Sequence, residues 1–144
     1  MLSRDFKEFT ESLNENDVRY LVVGGYAVAL HGHPRYTKDL DVWIGFEREN
    51  LSKLIEALDD FGFGSLGLSI ADFEPDQIVQ LGYPPNRIDI LVSLEGVDFD
   101  TCYESRVQVD IDGVIVNFID LDSLRKNKRA TGRAQDLADA ENLE

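Results

Sequence analysis

Cysteine is nearly absent from this chain: Cys102 is the single one in 144 residues. One cysteine forms no internal disulfide and no cysteine-based zinc cluster, and it suits a reducing compartment, so a cytoplasmic protein is expected. Basic residues are also scarce, 14 against 28 acidic ones, for a formal charge of -14. Broad nucleic-acid or anionic-membrane surfaces need the opposite balance, so neither extended nucleic acid nor membrane is an expected partner. A small basic pocket stays compatible with that charge. No apolar run approaches the roughly 20 residues that span a bilayer, and the opening Met1-Leu2-Ser3-Arg4-Asp5-Phe6-Lys7 is too polar for a signal peptide. Repeats, low-complexity tracts and linkers are missing as well. What is present is 43% hydrophobic and 10% aromatic residues, enough to bury a core without disulfides or structural metals. A single domain over residues 1–144 is expected.

Periodicity places the elements. Phe6, Phe9 and Leu13 recur at helical spacing within residues 3–16, with Ser3 as the cap. Residues 19–23 form a short apolar strand that runs into Gly24-Gly25, and residues 26–30 fit a short helix. Residues 31–38 contain Gly32 and Pro34 and read as loop. Residues 40–44 alternate as a strand. Leu51, Leu54, Ile55, Leu58 and Phe61 share one face of a helix over 47–61. Residues 62–75, with three glycines, carry no clear pattern. Two strands, 77–83 and 87–92, flank the turn Pro84-Pro85-Asn86, and residues 99–105 read as a helical turn. Asp112-Gly113 between 107–111 and 114–119 is the strongest hairpin signal. A helical tail, residues 121–144, breaks near Thr131-Gly132. This order implies an α/β (α+β) fold: a mixed β-sheet with helices packed mainly on one face.

Three carboxylates stand out by their setting. Asp39 and Asp41 in Asp39-Leu40-Asp41-Val42 share one face of a strand, with Leu40 and Val42 turned into the core. Asp89 lies between Ile88 and Ile90 in another strand. If the two strands are neighbours the carboxylates converge, and hard divalent cations such as Mg²⁺ are the simplest remedy for their repulsion. A pair of such ions serves in-line phosphoryl transfer. Upstream, Leu21-Val22-Val23-Gly24-Gly25 carries a strand into a double-glycine turn, where backbone N–H groups can approach a phosphate. Neither a dinucleotide fingerprint nor a P-loop is present.

Thirteen residues separate Gly25 from Asp39. The series Val23-Gly24-Gly25, Asp39-Leu40-Asp41-Val42 and Ile88-Asp89-Ile90 resembles the nucleotidyltransferase (polymerase-beta-like) superfamily. The stretch from Gly24 through Arg35-Tyr36-Thr37-Lys38 to Asp41 is similar to small bacterial members, the antibiotic nucleotidyltransferases and the nucleotidyltransferase toxins of abortive-infection systems. The tail, with Lys128, Arg133, Asp136 and Asp139, also looks like the C-terminal helix of small members. The resemblance implies catalytic and metal-binding roles for Asp39, Asp41 and Asp89 with two Mg²⁺ ions, and a triphosphate held by Gly24 and Gly25. It also implies an NTP substrate, ATP first, whose NMP passes to a hydroxyl acceptor with Asp89 helping to deprotonate it. Many active members carry Gly-Ser at the turn, whereas Gly24-Gly25 matches the antibiotic-modifying ones. Those relatives carry more C-terminal sequence for the acceptor, which stays undefined here.

Other charged residues have plainer readings. Asp110 and Asp112 belong to the hairpin turn, and Asp98, Asp100, Asp120 and Asp122 are surface or capping acids. His31 and His33 lack further metal ligands and belong to the loop. Arg35, Thr37 and Lys38 either contact phosphates or base or lie in a solvated loop; Lys38 is kept as a nucleotide-binding candidate. Residues 125–133 gather five basic residues, either a solvated helix face or a source of phosphate contacts, and Lys128 is taken as the contact on the strength of the resemblance. Trp43 is explained by packing. A second reading keeps the fold without catalysis: a nucleotide-binding relative, such as a toxin–antitoxin component, that needs a partner protein or another copy of the chain. A third, a plain cation-binding acidic domain, is opposed by the lack of an EF-hand loop.

Overall fold

In the computed structural model, which describes residues 3–32, 39–64, 67–83, 86–133 and 137–138, the apolar stripes become six strands and five helices. Ser3 accepts a hydrogen bond from the Phe6 amide and starts α1 (Arg4–Glu15), whose buried stripe is Phe6, Phe9 and Leu13. β1 (Tyr20–Val23) passes directly into α2 (Gly24–Leu30). The helix therefore begins at the glycines rather than at residue 26, because Gly24, at φ +68°, makes the turn within one residue. β2 (Leu40–Ile44) precedes α3 (Arg48–Leu58), which continues as a π turn over Asp59–Phe63. The helical face expected to reach Phe61 is thus only α-helical to Leu58, and Gly62 at φ +106° ends it. The patternless stretch includes a 3-10 turn, Ile70–Asp72, closed by reciprocal Ser69–Asp72 hydrogen bonds.

β3 (Ile78–Leu81) and β4 (Ile88–Leu91) pair antiparallel. α4 (Phe99–Glu104) leads to the hairpin of β5 (Val107–Ile111) and β6 (Val114–Phe118), where Asp112 takes φ +53° and Gly113 donates to Asp110. α5 (Leu121–Thr131) is capped by Asp120 and ends at left-handed Gly132, the expected break. Beyond it Arg133 is described and Leu137 and Ala138 are helical, and the other residues after Gly132 lie outside the described residues.

The sheet order is β3-β4-β2-β1-β6-β5. It is mixed: β1 with β2 is antiparallel, while β2 with β4 and β1 with β6 are parallel. Leu40, Val42, Ile44, Ile88 and Ile90 are each at most 1% exposed on one face. Burying each stabilises by about 1.5–3 kcal/mol, so a one-residue slip, which would turn Asp41 and Asp89 toward this apolar face in their place, is strongly disfavoured. α1 packs on α3 through the Ser12 hydroxyl, which donates to the Ala57 carbonyl at 2.8 Å. On the opposite face Trp43 meets Phe99 of α4 edge-on at 5.1 Å. β1 is consequently buried along its whole length.

Candidate functional site

Strand pairing decides where the carboxylates go. Asp41 is opposite Val23 in β1 and opposite Asp89 in β4. Alternation therefore brings Asp39, Asp41 and Asp89 to one face, the condition on which their convergence depended. Gly24 follows Val23 and so lies against Asp41. A Cβ on Gly24 would stand 2.1 Å from Asp41 Oδ2. The bare backbone and the left-handed φ are both required for the carboxylate to take this place.

Electrostatics follow from that crowding. Burial, then the charges of Asp89 and Asp39 and a side-chain hydrogen bond with Asp89, push the Asp41 carboxyl up to about 7, while Lys128 acts in the opposite direction. Asp39 and Asp89 are held by Arg87. Its Nη2 donates to Asp39 Oδ2 at 2.7 Å and to Asp89 Oδ2 at 3.1 Å, and its Nε donates to Asp89 Oδ1 at 2.9 Å. Asp39 Oδ1 is buried without a hydrogen-bond partner among the described residues.

A cavity of about 670 Å³ opens beside this cluster. Gly24, Gly25, Asp41 and Lys128 line it together with Asn127 and Arg133. Asp39 and Asp89 stand beside Asp41, on the Arg87 side. Lys128, only 6% exposed, comes from α5. Lys38, Arg35, Tyr36, Thr37 and His33 lie outside the described residues, as do Asp136 and Asp139. The plainer readings fit as well. His31 Nε2 lies 2.8 Å from the Ile119 carbonyl, Asp98 and Asp120 cap α4 and α5, and Asp100 pairs with Arg19. A second cavity of about 650 Å³, between α1 and the β5–β6 hairpin, contains none of the expected site residues.

The residue that sequence reasoning missed is Arg87. The signal was present in Arg87-Ile88-Asp89, since residues two apart share a strand face, but a basic residue beside a proline turn reads as solvated edge.

Three carboxylates and a glycine cradle on adjacent strands fit hard-cation and phosphate chemistry. Even so, among the described residues no group of three or more acidic or imidazole side chains is arranged to hold a metal ion. Arg87 takes the oxygens between Asp39 and Asp89 instead.

A family profile described as "nucleotidyltransferase of unknown function (DUF6036)" matches residues 2–144. The chain belongs to this nucleotidyltransferase family. No protein of curated function matches it by sequence. Solved structures show the same fold. A candidate nucleotidyltransferase from Thermotoga maritima superposes with a TM-score of 0.61 at 15% identity, over 97% of this chain and 88% of that one. An antigenic nucleotidyltransferase-like protein from Paracoccidioides brasiliensis gives 0.53 at 18% identity, over 99% and 77%. ANT(2″)-Ia, in complex with adenylyl-2″-tobramycin, gives 0.55 at 12%, over 96% and 84%. The nucleotidyltransferase-like fold expected from the carboxylate and glycine motifs is therefore the fold of this chain. Among the described residues no helix is long and apolar enough to cross a membrane.

Proposed function

We propose that this family member is a Mg²⁺-dependent nucleotidyltransferase, working as one unit over the chain, that moves an NMP from an NTP, ATP first, onto a hydroxyl acceptor. The observation that carries the reading is the register Asp41 opposite Asp89, with Asp39 beside them and Gly24 against Asp41. Asp39, Asp41 and Asp89 are the residues that would hold Mg²⁺. When bound, the metal would neutralise the carboxylates and act as a Lewis acid toward the triphosphate. Gly24 and Gly25 supply backbone at the cavity wall for the triphosphate, and Lys128 adds positive charge on the same wall. Asp89 accepts the proton of the acceptor hydroxyl, whose oxygen bonds to the α-phosphorus as the bond to pyrophosphate breaks. ANT(2″)-Ia was solved in complex with adenylyl-2″-tobramycin, and the charge of -14 likewise favours a small acceptor over a long nucleic acid.

Labelled ATP tests this. Transfer of label to acceptors should require Mg²⁺ and be lost in Asp39→Asn and in Asp41→Asn; transfer unchanged in both variants would sink the assignment. A second reading, nucleotide binding without transfer, draws on the Arg87 ion pairs that occupy Asp39 and Asp89. Calorimetric binding of ATP with Mg²⁺, with no labelled product from any acceptor, would favour it.

A further inference from the structure

Arg87 engages both oxygens of Asp89 and one of Asp39 with two of its nitrogens, at 2.7 to 3.1 Å. We propose that Arg87 is a built-in counter-cation: its guanidinium keeps Asp39 and Asp89 together while no divalent cation is bound, and it must leave them for such a cation to bind. This rests on the metal-site reading above and goes beyond it by giving that site an internal competitor.

Charge and geometry make the competition unavoidable. Magnesium needs oxygens at about 2.0–2.1 Å in near-octahedral order. A planar guanidinium instead spreads the carboxylates around a fork of directed N–H groups. The two cations claim the same oxygens, and neither tolerates the other at contact distance. Among the described residues the three carboxylates share a face but form no metal-holding group, and Arg87 is bonded to two of them.

The side chain has a way out. The backbone at Arg87 is fixed, because its carbonyl accepts from the Leu40 amide at 3.1 Å. The side chain is 28% exposed and so borders solvent. Leaving the carboxylates therefore asks for side-chain rotation alone, with the Arg87–Leu40 backbone bond kept, and frees Asp39 and Asp89 from the guanidinium. Arg87 is in this sense a positioning residue that lowers apparent metal affinity by the fraction of time it occupies the carboxylates.

A purely structural ion pair predicts the opposite sign, since its loss would scatter the carboxylates and weaken metal binding. Mn²⁺ titration followed by electron paramagnetic resonance, with and without a non-hydrolysable ATP analogue, separates the two. Arg87→Gln should bind Mn²⁺ on the order of tenfold more tightly than the unchanged protein. Arg87→Lys, which offers one nitrogen rather than a fork, should fall between them. Without metal, Arg87→Gln should melt at lower temperature, and Mn²⁺ should raise its melting point by more than it raises that of the unchanged protein. If Arg87→Gln does not fold, Arg87→Lys decides on the same sign. Equal or weaker Mn²⁺ binding in the folded variants, with binding by the unchanged protein, overturns the role of Arg87 alone. No Mn²⁺ binding by any of the three proteins overturns it together with the metal-site reading.

Discussion

Asp41 keeps its proton to about pH 7 because it is buried beside two other carboxylates. An acid whose folded value lies above its unfolded one binds its proton more tightly when folded, so protonation favours the fold. Stability from this group is complete below the ordinary value of 3.8 and is lost as pH rises toward 7. In EDTA the melting temperature should therefore be higher at pH 5 than at pH 8. General self-repulsion of an acidic protein has the same sign, so the deciding measurement is Asp41→Asn, whose melting temperature should change less between those two pH values. Gly24 supplies a second test at this scale. Alanine there meets Asp41 Oδ2 and a left-handed backbone at once. Gly24→Ala should cost at least about 1 kcal/mol in urea denaturation and should abolish nucleotide transfer, because the side chain it displaces is Asp41.

Among the elements, the junction of β1, β2 and α3 depends on Asn50. Its carboxamide accepts from the Arg19 amide and donates to the Arg19 and Gly45 carbonyls, at 2.7 to 3.0 Å, while the residue is 4% exposed. Asn50→Ala would leave buried backbone groups unpaired and should cost about 2–3 kcal/mol, read as a lower urea midpoint. This contact was not legible in the sequence, where Asn50 is a polar residue in the first turn of a helix and nothing marks its partners. Strands and hairpins were legible because their evidence is local: alternation around Asp41, the apolar flanks of Asp89, the Asp112-Gly113 turn. The site was legible as far as face-sharing reaches, which covers Asp39, Asp41 and Asp89 but gives no pairing partner. That β2 and β4 are neighbours, that α4 and α5 lie on the carboxylate face, and that Arg87 closes on two carboxylates are all products of tertiary packing. Gly24 was read as backbone room for a phosphate, and the structure adds that a Cβ there would meet Asp41 first. That contact depends on the β1–β2 register, which residues 20–44 do not declare on their own.

For the whole molecule, a formal charge of -14 means that folding concentrates like charge, and screening should relieve it. Raising NaCl from about 20 to about 300 mM, which shortens the Debye length several-fold, should raise the melting temperature at pH 8. Mg²⁺ at matched ionic strength should raise it further, and Asp39→Asn should remove the extra increment only. The sheet order carries a kinetic consequence. Its outer pairs, β3 with β4 and β5 with β6, join neighbours in sequence, whereas the central parallel pairs join distant segments, with most of the chain lying between Val22 and its partner Phe118. Closing such long loops is the slow part of folding. Asp41 and Asp89 meet only across one of these late pairings, so a partly folded chain can hold both of its hairpins and still lack the carboxylate cluster. Stopped-flow refolding should show hairpin-level secondary structure gained before the proposed Mn²⁺ binding returns, making that binding a reporter of the last step.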